Sequence, residues 1–314
     1  MAIHIGQGPA TVAPANELSE LLNAALEQVD ARMRQATHSE VSVLQQASHH
    51  ILQAGGKRVR PRLLMLSHLA CGGQSLSDAV EISAALELVH TASVVHDDIN
   101  DHGMVRRGRP SVNALWGRTF ALLTGDFLFT KVYELMAPYR DLNVDLSVAT
   151  VALVEGETLQ AAAVKENNYT REVYYRIIGL KTAALFRAAG VLGARLAGAD
   201  AHLPKALGDF GYNVGLAFQI VDDLLDLTAD TDQLGKTSGI DVEQGRGFAA
   251  AHGSPSDVVA AIREKAASSD TIREGRLVAQ GLVASAIAML DVLPEGEAKS
   301  ELIELAHGVV SRTF

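Results

Sequence analysis

The sequence predicts an all-α protein folded as a single helical bundle, on three observations. Aromatic residues make up only 5% of the chain while Ala, Leu and Val dominate, which suits packed helices better than sheets. Apolar residues recur at three- and four-residue intervals over long stretches. No segment alternates apolar and polar residues between turn signals at both ends, so no sheet is expected.

Residues 1–16 read as a disordered start, and the helical domain is expected over 17–314. Leu21, Leu22, Ala25, Leu26 and Val29 mark a first helical face, and Val41, Leu44 and Ala47 continue it after a polar break, until Gly55-Gly56 stops the run. Pro61 suits the beginning of the next helix, and Gly72-Gly73 end it before another opens near Asp78. Val80 to Asp98 is long and apolar; Gly103, Gly108 and Pro110 then break the chain, and GDFLFTKVYELMAPY resumes it. Further helices are expected over 144–164, 171–196, 205–227 and 272–292. No linker or fixed-period repeat divides them, so one bundle is the simplest architecture.

Hydrophobic residues at 48% are ample for a core, and 27 basic against 37 acidic residues give a formal charge of −10. That balance argues against nucleic acid or an anionic membrane as partner. Cys71 is the chain's one cysteine, which excludes a disulfide framework or a thiolate zinc site, and it reads as a small buried apolar residue. No run approaching the roughly 20 apolar residues of a membrane span is apparent, and the opening lacks a signal-peptide layout, so a cytoplasmic protein without an integral membrane segment is expected.

Two acidic stretches, DDIND at 97–101 and DDLLD at 222–226, repeat one spacing. At about 100° per residue, positions i, i+1 and i+4 share a helix face, so Asp97, Asp98 and Asp101 cluster, as do Asp222, Asp223 and Asp226. Either triplet alone could be a solvated helix end. Both follow apolar runs, however, and paired acidic clusters on facing helices are how a bundle builds an internal metal site. Hard, oxygen-seeking Mg²⁺ suits such carboxylates, completing its shell with water and substrate phosphate. Basic stretches complement them: GGKRVRPR carries Lys57, Arg58, Arg60 and Arg62, and RRGRP carries Arg106, Arg107 and Arg109. Beside a metal these look like phosphate receptors, because arginine offers paired donors. Lys181, Thr182 and Lys236 could add contacts; LGKTSG around Lys236 lacks the upstream glycine of a nucleotide-binding loop and follows a helix.

GGKRVRP, ELVHTASVVHDDIND, RRGRPSVN, GDFL, GLKTAALF, FQIVDDLLD and LGK, in that order over about residues 50–245, resemble the trans-isoprenyl diphosphate synthases of the polyprenyl synthetase family. The resemblance implies an all-α isoprenoid-synthase bundle with a central cavity, and a head-to-tail condensation of isopentenyl diphosphate with an allylic diphosphate. It implies three Mg²⁺, with Asp97, Asp101 and Asp222 as chief ligands and Asp98, Asp223 and Asp226 supporting them. Arg106, Lys181, Thr182, Gln219 and Lys236 would hold the allylic diphosphate, and Lys57, Arg60, His90 and Arg107 the isopentenyl diphosphate. His96 is given a hydrogen-bonded structural role. A homodimer is also implied.

By the same resemblance, Ala92 and Ser93, one turn before Asp97, leave open a tunnel that bulky residues would block. A chain of roughly six to ten isoprene units is therefore expected, with a floor from Leu146, Val148, Phe127, Phe129 or Tyr133. The segment GIDVEQGRGFAAA departs from the family pattern: Arg246 stands in place of a Lys, and a Thr-Leu-Pro helix start is missing. Two rival readings are a class I terpene cyclase, which would not need the GGKRVRP and His90 pocket, and a non-catalytic subunit of a heteromeric synthase, which would normally have lost Asp residues.

Overall fold

The computed structural model describes residues 16–166, 168–228 and 269–311. Its helices are α1 (Asn16–Ala36), α2 (Ser42–Gln53), α3 (Val59–Ala70), α4 (Ser77–Asn100), α5 (Val112–Met136), α6 (Arg140–Lys165), α7 (Arg171–Ile178), α8 (Ala184–Leu196), α9 (His202–Thr228), α10 (Ser269–Met289) and α11 (Glu297–Val310). The all-α expectation holds. Buried apolar side chains from Leu22 on α1 to Val309 on α11 form one continuous core, as expected when each amphipathic helix hides one stripe against its neighbours. α4 lies along α5, while α8 touches α3, α4, α6 and α9, so it is one element that ties the two acid-bearing helices, α4 and α9, together.

Four features differ from the sequence expectation. A two-stranded antiparallel ladder, β1 (Val105–Arg106) with β2 (Arg109–Pro110), interrupts the helices; strands of two residues carry no readable alternation. α5 begins at Val112, capped by Ser111, whose hydroxyl accepts from the Ala114 amide at 3.1 Å, and it kinks at Gly117 (φ 79) before the GDFL stretch. Between α7 and α8 the chain widens into a π-helical turn, Gly179–Ala183. α11 was not anticipated, although Leu302, Ala306 and Val309 give it a buried stripe. By length and composition two segments could cross a membrane, Arg171–Leu196 and Asp270–Val292; the first is mostly buried within the bundle.

Candidate active site

The first acidic triplet closes α4. Asp101 caps the helix, its amide bonded to the Asp97 carbonyl at 2.8 Å, so the helical register persists through all three carboxylates. Asp98 is buried, and its Oδ1 accepts from Arg106 Nη2 at 2.6 Å and Nε at 3.1 Å. Burial raises the Asp98 carboxyl above the ordinary range despite that ion pair. Its other oxygen, Oδ2, is buried and accepts no hydrogen bond among the described residues. Arg106, itself largely desolvated, is held more firmly charged by Asp98.

The π-helical turn sits between this triplet and the second. Lys181 Nζ reaches Asp97 Oδ2 at 3.2 Å and Glu157 Oε2 at 2.8 Å, with Gln160 Oε1 at 3.4 Å. Burial disfavours its charge, but Asp97 and Glu157 outweigh that and raise its affinity for the proton. Gly156 makes the approach possible, since a Cβ there would lie 2.7 Å from the Lys181 amide nitrogen. One residue on, Thr182 donates to Gln219 Oε1 at 2.8 Å, and Gln219 donates to Asp223 Oδ1, also at 2.8 Å. The fully buried Tyr174 donates to Asp223 Oδ2 at 2.7 Å. Neighbouring residues of one turn thus address α4 and α9, an arrangement in keeping with the frequent placement of π turns at functional sites.

A second, cationic pocket lies about two turns up α4 from Asp97, lined by Leu52, Gly55, Arg58, His90, Arg106 and Arg107 among others. Two of these arginines have left-handed backbones: Arg58 with φ 49 at the start of α3, and Arg107 with φ 51 at the β1–β2 turn. Arg107-Gly108 puts positive φ at both central residues of a tight hairpin, where Asn-Gly is the low-cost choice. Such a backbone costs a non-glycine residue on the order of 1–2 kcal/mol. A Cβ on Gly56 would lie 3.1 Å from Arg107 Nη1 and 3.3 Å from Arg58 Nη1, so both strained residues bring their guanidiniums to the same spot. Burial, then Arg60, Arg107, Arg106 and Arg58, push the His90 imidazolium well below its usual range, leaving a neutral ring.

The expected residues are distributed as follows. Asp97 pairs with Lys181, and Thr182, Gln219 and Asp223 form a separate chain of hydrogen bonds from the next residue of the same turn, while His90, Arg106 and Arg107 line the cationic pocket. Arg60 does not line it: it is buried, with Nε 3.0 Å from Glu87 Oε1 and its guanidinium over the Phe186 ring. Lys57 is exposed beside the pocket. Asp222 is half-buried and Asp226 buried on α9. Ala92 and Ser93 are buried on α4. Of the proposed floor residues, Leu146 is buried and Phe127 and Phe129 half-buried, whereas Tyr133 and Val148 face outward in this chain. His96 has a packing role: its Nε2 lies 3.2 Å from the Leu122 carbonyl, and a Cβ on Gly125 would sit 2.2 Å from it. Cys71 is half-buried with a thiol pushed up to about 11 by burial. Lys236, Arg246 and the atypical segment around Arg246 lie outside the described residues.

The polyprenyl synthetase family model matches residues 41–254, which include both triplets and both basic stretches. The chain belongs to the polyprenyl synthetase family. It is 34% identical to octaprenyl diphosphate synthase of Escherichia coli (strain K12), over 94% of this chain and 98% of that one. It is 40% identical to a short chain isoprenyl diphosphate synthase of Methanothermobacter thermautotrophicus over 73% of each. Its fold matches a polyprenyl synthase from Caulobacter crescentus, crystallised with calcium and isoprenyl diphosphate, with a TM-score of 0.87 and 30% identity over 97% of this chain and 99% of that one.

Four residues of this synthetase's site escaped the sequence reading. Glu157 and Gln160 meet Lys181 from α6; the polar i, i+3 pair in EGETLQ, next to a buried glycine, was their available signal. Tyr174 and Glu87 act from buried positions that sequence cannot distinguish from ordinary core. The α4 face also fits a divalent cation. Asp97, Asp98, Asp101 and Glu157 stand there with Lys181 and Arg106, and burial plus Asp97 raise Glu157 to about 8. Added positive charge would relieve that crowding and serve the bare Asp98 Oδ2. Among the described residues no three carboxylates or imidazoles already converge on one point.

Proposed function

We propose that this synthetase is a trans-prenyltransferase that condenses isopentenyl diphosphate with an allylic diphosphate to give a medium- or long-chain all-trans polyprenyl diphosphate. The observation that carries the reading is the juxtaposition, along α4, of a carboxylate-rich end and a pocket lined by arginines. Asp97 and Asp101 on α4 and Asp222 on α9 are the proposed principal ligands of three Mg²⁺, with Asp98 and Asp226 in support. Bound there, the metal ions would supply positive charge for a departing diphosphate. Lys181, Thr182, Gln219 and Arg106 orient that allylic diphosphate, with Lys236 as a further contact. As its allylic carbon–oxygen bond breaks, the electron pair leaves with the diphosphate, whose growing negative charge Lys181 and Arg106 meet at fixed positions. His90, Arg107 and Lys57 hold isopentenyl diphosphate so that its double bond faces the allylic cation. A carbon–carbon bond forms, and the proton lost from the adjacent carbon passes to the released diphosphate, so no side-chain base is needed.

Small buried side chains at Ala92 and Ser93 support a tunnel open to a growing chain. A homodimer is supported by the exposed apolar stripe Val144, Val148 and Val151 on α6 and by exposed Leu122 and Leu123 on α5; light scattering of the purified protein would report a mass twice that of the chain. We place the enzyme in the cytoplasm. The test of the activity is incubation with Mg²⁺, labelled isopentenyl diphosphate and farnesyl or geranylgeranyl diphosphate, then chromatography of the dephosphorylated products. Extension to roughly 30–50 carbons is expected, and no incorporation with any allylic primer would refute the synthase reading.

A further inference from the structure

Tyr174 stands fully buried on α7, its ring packed against Tyr175 at a centroid distance of 5.4 Å and Tyr169 at 6.4 Å. Packing of that kind needs no hydroxyl, yet a buried phenol must find a partner. The Tyr174 hydroxyl donates to Asp223 Oδ2 at 2.7 Å. The other oxygen of that buried carboxylate, Oδ1, accepts from Gln219 Nε2 at 2.8 Å, one turn earlier on α9. A carboxylate only accepts, so it turns the NH2 end of the Gln219 amide toward itself and leaves Oε1 for the Thr182 hydroxyl, which donates at 2.8 Å. The direction of donation along four side chains is thereby set from Tyr174 onward. The backbone of the π turn is held by other means: a Cβ on Gly215 of α9 would lie 2.7 Å from Ala183 Cα, and one on Gly179 would lie 2.5 Å from the Tyr212 hydroxyl oxygen. The Tyr174 bond therefore orients side chains on a frame that close backbone packing already fixes.

We infer that Tyr174 is a positioning residue for the allylic diphosphate, acting through Asp223 on Gln219 and Thr182. The inference rests on the proposed role of Gln219 and Thr182 in holding that diphosphate. A bond from a phenol to a carboxylate away from water is charge-assisted and stronger than a neutral one. Held by Tyr174, Asp223 keeps Oδ1 aligned on Gln219, and the amide and the hydroxyl stay in one arrangement before the ligand arrives, which lowers the cost of binding it. None of the four side chains lines the arginine pocket, so loss of the relay should be felt by one substrate alone.

Tyr174→Phe removes the hydroxyl and keeps the ring. The KM for the allylic diphosphate should rise by about fivefold, the effect of one such bond, with the KM for isopentenyl diphosphate nearly unchanged. A merely structural role would lower the folded fraction and hence kcat while leaving both KM values in place; that result, or an equal rise in both, would overturn the inference. Repeating the substitution in a Gln219→Ala background tests the route: the effect of Tyr174→Phe on the allylic KM should vanish there, and its persistence would overturn the relay. Should Tyr174→Phe not fold, Asp223→Asn puts a donor on one side of a group that accepts on both, so one of its two bonds must reverse or break. A rise of about threefold in the same KM at saturating Mg²⁺ is then expected, and no rise would again overturn the inference. Wild-type protein run alongside separates the two claims. If the wild type incorporates no isopentenyl diphosphate, the function itself fails; if it turns over normally and the variants leave the allylic KM in place, only the role of Tyr174 fails.

Discussion

At its C-terminal end α4 presents carboxylates; two turns earlier, around His90, it borders a pocket lined by guanidiniums from the start of α3 and from the β1–β2 hairpin. Both regions are suited to a diphosphate, yet they provide positive charge in different ways. The Asp97 end carries more anions than its own cations neutralise and so calls for charge that arrives with the ligand. The His90 end has its charge built in, at the expense of two left-handed arginines and a buried ion pair. The contrast suits the proposed chemistry: a diphosphate that must leave gains from metal ions, while one that must stay intact needs only to be held. Arg106 joins the regions, bonding Asp98 on one side and lining the cationic pocket on the other.

That contrast can be broken at several points. The largest effect is expected from Asp97→Ala or Asp222→Ala, each lowering turnover by about 10³-fold while thermal unfolding stays near wild type; equal loss of stability and activity would mean that the triplets are structural. Arg106→Ala should impair use of both substrates and destabilise the fold by about 2 kcal/mol, because Asp98 is left buried without its ion pair. Denaturant titration would show this, and adding Asp98→Asn should restore part of the loss. Arg107→Asn sharpens the claim of built-in strain. Asn-Gly suits the hairpin, so stability should rise by about 0.5–1 kcal/mol while the KM for isopentenyl diphosphate rises several-fold.

The smallest effect concerns pH. The His90 pKa is depressed in the folded chain, so its contribution to stability is fully present above the unfolded value near 6.5 and is lost as pH falls below it. Wild type should therefore lose more stability than His90→Gln on acidification from pH 7 to 5, measured by denaturant midpoints at each pH.

The helices and the two triplets were legible in the sequence because helical periodicity and i, i+1, i+4 spacing are local properties. The basic stretches were legible as composition, but the division of labour inside GGKRVRPR was not. The left-handed backbone at Arg58 and the bonds of Arg58 and Arg60 to Glu87, 29 and 27 residues away, are tertiary features that no local pattern carries. Glu157 was hidden for a similar reason: its meaning comes from a contact between α6 and the π turn that Gly156 permits. The β1–β2 hairpin was too short to show a period, though RRGR carried its turn. Ala92 and Ser93 were found through the family resemblance, and the structure adds that both are buried while Tyr133 and Val148 are not.

The central claim is that one diphosphate site depends on divalent metal and the other does not. Calorimetric titration tests it directly, using isopentenyl diphosphate and a non-ionising thio-analogue of farnesyl diphosphate, each with Mg²⁺ and with a chelator. Isopentenyl diphosphate should bind with similar affinity in both conditions, whereas the allylic analogue should bind only with Mg²⁺. Loss of isopentenyl diphosphate binding in the chelator, or equal binding of the analogue without metal, would contradict the account.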